Sequence, residues 1–206
     1  MSIDSSQPPS KTLVHAANVL TGVRFILAPI LGWAVWQSGW SVAAIIVITA
    51  IGSDVLDGRM ARRHGVVSAF GGFFDHGTDA LFVSIGAWAL AEQGLISPWL
   101  WPCIALAFIQ YAADSRVLKG RHLRTSRIGK YNGLSYYAVV TTAIGSQALY
   151  QAAEAMSETP VPSVVIQSLA LLDQGVLLAS WILVFTTLIS MADRLYHSIF
   201  QPENPS

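Results

Sequence analysis

The chain has 206 residues, of which 53% are hydrophobic and only 12% charged, with a mean hydropathy of +0.51. That is too apolar for an ordinary soluble domain of this length, and it reads as a polytopic, all-α membrane protein. Formal net charge is zero, and no nucleic-acid partner is expected.

Residues Met1 to Lys11 read as disordered, and Thr12 to Ala17 as a short helix along the cytoplasmic interface. No charged n-region precedes a cleavable apolar stretch, so no signal peptide is expected to be removed. Apolar stretches near the twenty or so residues that cross a bilayer follow, uncharged but for Arg24 in the first: Val19 to Trp36, Ser38 to Ser53, Leu95 to Ala113, Tyr131 to Ala153 and Gln174 to Ala192. A further span, third in chain order, runs from about Ser68 to Ala91 and carries Asp75 and Asp79. The second helix extends past its apolar run to end near His64 and Gly65, because Asp57, Arg59, Arg62 and Arg63 follow it; Ser68 is a plausible N-cap for the third. Cys103 lies in an apolar run with no His or Asp neighbour and is expected to serve packing. The apolar segment Val161 to Leu172, bounded by prolines, is too short for an independent span and reads as an outer-surface helix.

With six spans and both termini cytoplasmic, all twelve Lys and Arg residues fall on one side: Lys11 and Arg24, then Arg59, Arg62 and Arg63, then Arg116 through Lys130, then Arg194. Glu92, Glu154, Glu158 and Asp173 fall opposite, which satisfies the positive-inside rule. Trp36, Trp40, Trp88, Trp99, Trp101 and Trp181 lie toward the outer ends of the spans, as an interfacial belt does. No internal repeat or linker divides the chain, so residues 1–206 are expected to form a single membrane domain.

Within this apolar setting stand four aspartates, and intramembrane carboxylates persist chiefly where they bind something. At about 100° per residue, Asp54, Asp57, Gly58 and Ala61 share one face of the second helix, and Gly71, Asp75 and Asp79 one face of the third. Antiparallel packing of these two faces would gather four carboxylates, whose repulsion demands neutralising cations. Oxygen donors without Cys or paired His favour Mg²⁺ or Mn²⁺ over Zn²⁺, and two such ions are the natural complement. Gly58, Ala61 and Gly71 leave room for a nucleotide, and Arg62, one turn beyond Gly58, is placed to meet phosphate. The site looks built for a metal-held diphosphate and displacement at phosphorus.

These residues, Asp54-Val-Leu-Asp57-Gly58-Arg-Met-Ala61-Arg62, eight intervening positions, then Gly71-Gly-Phe-Phe-Asp75-His-Gly-Thr-Asp79, resemble the signature of the CDP-alcohol phosphatidyltransferases. The resemblance implies a six-helix, usually dimeric membrane fold. It implies transfer of a phosphatidyl group from CDP-diacylglycerol to an alcohol with release of CMP. It also implies that Asp54, Asp57, Asp75 and Asp79 are metal ligands, that Asp79 is the base for the acceptor hydroxyl, and that Gly58, Ala61, Arg62 and Gly71 contact the nucleotide. Asn18, Thr21 and Arg24 resemble the family's Asn-x-x-Thr-x-x-Arg start of the first span, and Ser126-Arg127-Ile-Gly129-Lys130 its Ser-x-x-Gly-Lys segment. These add Asn18, Thr21, Arg24, Ser126, Arg127 and Lys130 as substrate-binding candidates. Arg24 reads equally as a topological anchor, and Arg194 either faces the site or snorkels.

Phe74-Asp75-His76-Gly77-x-Asp79 also resembles the choline and ethanolamine phosphotransferases of the same superfamily, where this histidine and a nearby glutamate are implicated in acceptor activation; Gly72 stands at the glutamate position. Read from the helix alone, His76 is turned about 100° from Asp75 and is more simply a packing or interfacial residue. The compact chain resembles bacterial phosphatidylglycerophosphate synthases, which makes glycerol 3-phosphate the expected acceptor; serine, inositol, inositol phosphate and choline stay open. Tyr136 and Tyr137 offer a cradle for a quaternary ammonium. The plasma (inner) membrane is the expected location, with the site facing the cytoplasm and a homodimer as the assembly. A divalent metal-ion transporter and a family-like lipid-binding protein without activity are the competing readings. Against the transporter, no carboxylate series continues outward from the cluster.

Overall fold

The computed structural model describes residues 11–64, 69–114, 127–156 and 160–200, with side chains described over 22–54, 73–113, 128–156 and 160–197. Over these residues the chain is helical throughout, without strands: α1 (Lys11–Trp36), α2 (Trp40–His64), α3 (Ala69–Glu92), α4 (Leu100–Asp114), α5 (Arg127–Met156) and α6 (Ser163–Phe200). Each apolar run of the sequence supplies one of these helices, although α4 begins only at Leu100, five residues into its run from Leu95, and α2 at Trp40. The second helix carries its polar end to His64 as its charges require. Ser68, expected as an N-cap, lies outside the described residues, as do Met1 to Ser10; Lys11 is already helical.

The helices close into a ring in the order α1, α3, α4, α6, α5, α2, with α3 also meeting α5 across the middle. Helical spacing builds the inner stripes: Arg24, Ala28, Leu31 and Val35 on α1, Ala43, Ile46, Val47, Ala50 and Ser53 on α2, and Phe82, Ala89 and Leu90 on α3 are all buried. The α1–α3 seam is the closest. A Cβ at Gly32 would come 2.7 Å from Ile85 Cγ2, and one at Gly86 would come 3.1 Å from Leu31 Cδ2. Small residues at such crossings let apolar helices approach without a hydrophobic drive. Phe25, Ile26, Trp33 and Trp36 on the far side of α1, and Ile45 and Ile48 on α2, are exposed. On α6, Leu178, Phe185 and Ile189 likewise face outward, a surface too apolar for water alone. By length and composition α6 is able to cross a membrane, over Ser163–His197. Gly22–Trp36, Trp40–Asp54 and Leu100–Ala113 are shorter apolar stretches.

Two expectations are corrected. Thr12 to Ala17 is no separate helix but part of α1, since no glycine or proline interrupts the run into the first span. Val161 to Leu172 is no separate surface helix: from Ser163 onward it is the beginning of α6. The prolines that bound it act as a start signal, with Pro162 O receiving Val165 N and Ile166 N, and nothing stops propagation afterwards. Among the described residues α1 is a principal neighbour of both α2 and α3.

Candidate active site

Arg24 projects from the inner stripe of α1 and is fully buried, 0% exposed. Its Nη1 pairs with Asp54 Oδ1 of α2 at 3.1 Å and with Asp79 Oδ1 of α3, and its Nη2 donates to Asp75 Oδ1 at 2.5 Å. One guanidinium thus ties together three helices, using the planar fork that only arginine offers. Asp75 and Asp79 stand one turn apart on α3, and Asp54 follows Ser53 on the buried stripe of α2. Their side chains are 34%, 25% and 52% exposed respectively, so the cluster opens to one side while Arg24 seals the other.

Asp79 receives a second donor on the same oxygen. Tyr137 of α5 donates its hydroxyl to Asp79 Oδ1 at 2.9 Å, and its ring stacks on Phe82 at 6.3 Å with 16° between planes. Phe82 lies three residues beyond Asp79 on α3, so hydroxyl and ring grip the same helix face one turn apart. Tyr136, next in sequence, points elsewhere, to Thr187 Oγ1 of α6 at 2.5 Å. The two tyrosines therefore do not form one cradle.

A ring nitrogen of His76 lies with oxygens of Asp75 and Asp79 in a group whose atoms are all within 4.8 Å of one another. Rotation relative to Asp75 alone misplaces His76; its i, i+3 relation to Asp79 is the signal that finds it. The exposed imidazole also meets Tyr111 of α4 edge-on, with centroids 6.0 Å apart. From the other side Arg194 of α6 lies over the same Tyr111 ring at 6.0 Å. A Cβ at Gly129 would collide with the Arg194 guanidinium. Arg194 is thus turned toward the bundle and does not snorkel, and Gly129 gives it room.

Lys130 is exposed on the first turns of α5. Asn18 and Thr21 lie on α1, Asp57, Gly58, Ala61 and Arg62 on α2, Gly71 on α3, and Arg127 opens α5; the side-chain surroundings of these positions, and Ser126 altogether, lie outside the described residues. Arg24 is neither a bare anchor nor an exposed cation: it is the internal counter-charge of the cluster. Neither that role nor the Tyr137 hydrogen bond is encoded locally, because the partners, from Arg24–Asp54 to Tyr137–Asp79, are 30 to 58 residues apart. An Arg on the inward stripe of an apolar helix was the available signal for a buried partner.

Electrostatically, three carboxylates share one positive charge, so the cluster retains negative charge on partly open oxygens. That donor set fits a hard divalent cation of the Mg²⁺ or Mn²⁺ type. Chemically, it offers two carboxylates one turn apart for holding cations or accepting a proton, with an imidazole beside them.

A sequence model described as CDP-alcohol phosphatidyltransferase matches residues 14–188. The chain is 29% identical over 99 residues to a probable cardiolipin synthase (CMP-forming) of Drosophila melanogaster, covering 48% of this chain and 31% of that one. It is 32% identical over 88 residues to the chloroplastic CDP-diacylglycerol–glycerol-3-phosphate 3-phosphatidyltransferase 1 of Oryza sativa subsp. japonica, covering 42% and 26%. It is 33% identical over 79 residues to cholinephosphotransferase 1 of Homo sapiens, covering 36% and 20%. The matches thus span between a fifth and a third of the length of these relatives.

Proposed function

This chain belongs to the CDP-alcohol phosphatidyltransferase family, and on that premise we propose that it transfers a phosphatidyl group from CDP-diacylglycerol to a small alcohol, releasing CMP. The observation that carries the reading is the convergence of Asp54, Asp75 and Asp79 on Arg24. Those aspartates belong to a grid of eight positions that also includes Asp57, Gly58, Ala61, Arg62 and Gly71.

In this reading Asp54, Asp57, Asp75 and Asp79 hold two Mg²⁺ or Mn²⁺ ions, which supply Lewis-acid stabilisation of the charge developing on the donor's phosphates. Arg62 neutralises the pyrophosphate, while Gly58, Ala61 and Gly71 leave space for the cytidine nucleotide. Asn18, Thr21 and Arg24 border the donor from α1. Asp79 accepts the proton of the acceptor hydroxyl. The freed oxygen bonds to the phosphorus that carries diacylglycerol, the bond from that phosphorus to the bridging oxygen breaks, and CMP departs with the electron pair. Ser126, together with Arg127 and Lys130 from the start of α5, binds the acceptor; the basic character of Arg127 and Lys130 supports an anionic one, with glycerol 3-phosphate first. All six helices cross the membrane with both termini cytoplasmic, so the site faces the cytoplasm from the plasma membrane, and two copies associate.

Choline is a second acceptor to be weighed, because His76 stands beside Asp75 and Asp79 and one relative is named a cholinephosphotransferase. Gly72 in place of a glutamate argues against it.

The test is CMP release from CDP-diacylglycerol by purified wild type, Asp75→Asn and Asp79→Asn, each with Mg²⁺ or Mn²⁺. Wild type is expected to turn over, and each variant to lose at least about 100-fold, the scale of losing a positioned base or charge-stabilising group. A folded variant near the wild-type rate would refute the role given to its residue.

A further inference from the structure

The carboxylate of Asp79 is held unevenly. Two donors, Arg24 Nη1 and the Tyr137 hydroxyl, both reach Oδ1. A carboxylate free to rotate about its last torsion would exchange its oxygens, since that torsion is broad and roughly two-fold. Two donors from two different helices on one oxygen remove that freedom. The donors themselves are fixed: Arg24 is fully buried and divides its fork among three carboxylates, while the Tyr137 ring lies flat on Phe82, which is itself 0% exposed.

We infer that Tyr137 is a positioning residue: it clamps Asp79 by Oδ1 so that Oδ2 is presented to the acceptor hydroxyl. The inference rests on the reading of Asp79 as the proton acceptor and deepens it by naming the oxygen that acts and the side chain that selects it. Tyr137 is too far along α5 from Lys130, two turns inward, to share the acceptor-phosphate role given to the start of that helix. Its partner is Asp79, its ring is committed to Phe82, and the neighbouring Tyr136 is committed to Thr187. The hydroxyl to carboxylate bond is charge-assisted and part-buried, and bonds to an ionised acceptor are stronger than neutral ones.

The experiment compares kcat and donor KM for CMP release in wild type, Tyr137→Phe and Tyr136→Phe, with the melting temperature of each. Tyr137→Phe keeps the ring on Phe82 and deletes only the donor. It should lower kcat about 10- to 100-fold, the worth of one hydrogen bond to a charged group, with donor KM within about two-fold and little change in melting. Tyr136→Phe should lower the melting temperature and leave kcat within about two-fold. Phe82→Leu loosens the ring's seat while leaving the hydroxyl and Asp79 in place. It should lower kcat by a smaller factor, again at constant KM, and decides the matter should Tyr137→Phe fail to fold. Active wild type with unchanged kcat in both Tyr137→Phe and Phe82→Leu overturns the inference alone. So does a loss in Tyr137→Phe that appears in KM and melting but not in kcat. Wild type that binds CDP-diacylglycerol yet releases no CMP with any acceptor overturns the functional reading, and this inference with it.

Discussion

Replacing Arg24 by Gln leaves the Asp54, Asp75 and Asp79 carboxylates facing one another without the guanidinium that joins them. Breaking a buried ion pair from one side typically costs about 3–5 kcal/mol. Here the carboxylates are partly exposed, so solvent screening reduces the expected loss to about 2 kcal/mol. Arg24→Lys should recover only part of it, because an ammonium lacks the planar fork. Denaturation of both variants in detergent checks this; an Arg24→Gln protein as stable as wild type contradicts the counter-charge role. At this scale the sequence was most informative where chemistry repeats at helical spacing: Asp54, Asp75 and Asp79 lie together as their grid requires. Arg24 and Tyr137 were illegible as their partners, because pairing across 30 to 58 residues depends on how helices pack and leaves no local pattern.

The elements carry their own strain and their own spacing. Ser38 sits at a φ of 54°, in the left-handed region that closes α1. There Gly39 N meets Ala34 O at 2.9 Å and Ser38 N meets Val35 O at 2.9 Å, the pairing of a Schellman end. The corresponding end of α3 uses Gly94, at a φ of 74°. Ser38→Gly removes the Cβ penalty and should stabilise the protein by about 0.5–1 kcal/mol, read as a raised melting temperature. In the opposite direction, Gly32→Leu forces a side chain into Ile85, where even a Cβ has only 2.7 Å, and should destabilise by about 1–3 kcal/mol. It should also lower turnover, since the α1–α3 seam sets Arg24 against Asp75 and Asp79. Helix existence was legible from uncharged runs, and the end of α2 from its charges. The extents of α1 and α6 were not, because a run longer than a bilayer was divided at its expected boundary. A helix continues until a residue stops it, and neither Thr12 to Ala17 nor Ser163 to Leu172 contains a proline or glycine.

At the scale of the molecule, the ring order α1, α3, α4, α6, α5, α2 brings the site together from four helices: Arg24 from α1, Asp54 from α2, Asp75 and Asp79 from α3, and Tyr137 from α5. Ring closure was not readable from the sequence, since apolar faces of similar composition do not name their partners. The proposed six crossings, with the site inward, make a labelling prediction. In a Cys103→Ala background, single cysteines at the exposed positions Glu92 and Glu154 should react with an impermeant maleimide in intact cells. One at exposed Asp193 should react only after permeabilisation. The reverse pattern contradicts the topology. The most direct measurement of the central claim is CMP release from CDP-diacylglycerol by detergent-purified wild type, with Mg²⁺ or Mn²⁺ and then with excess chelator. The acceptors are glycerol 3-phosphate, serine, inositol, inositol phosphate, choline and none. Metal-dependent release stimulated by one alcohol, with glycerol 3-phosphate expected first, is the predicted result. Folded protein that neither binds CDP-diacylglycerol nor releases CMP, or that instead carries divalent cations across liposomes, would contradict it.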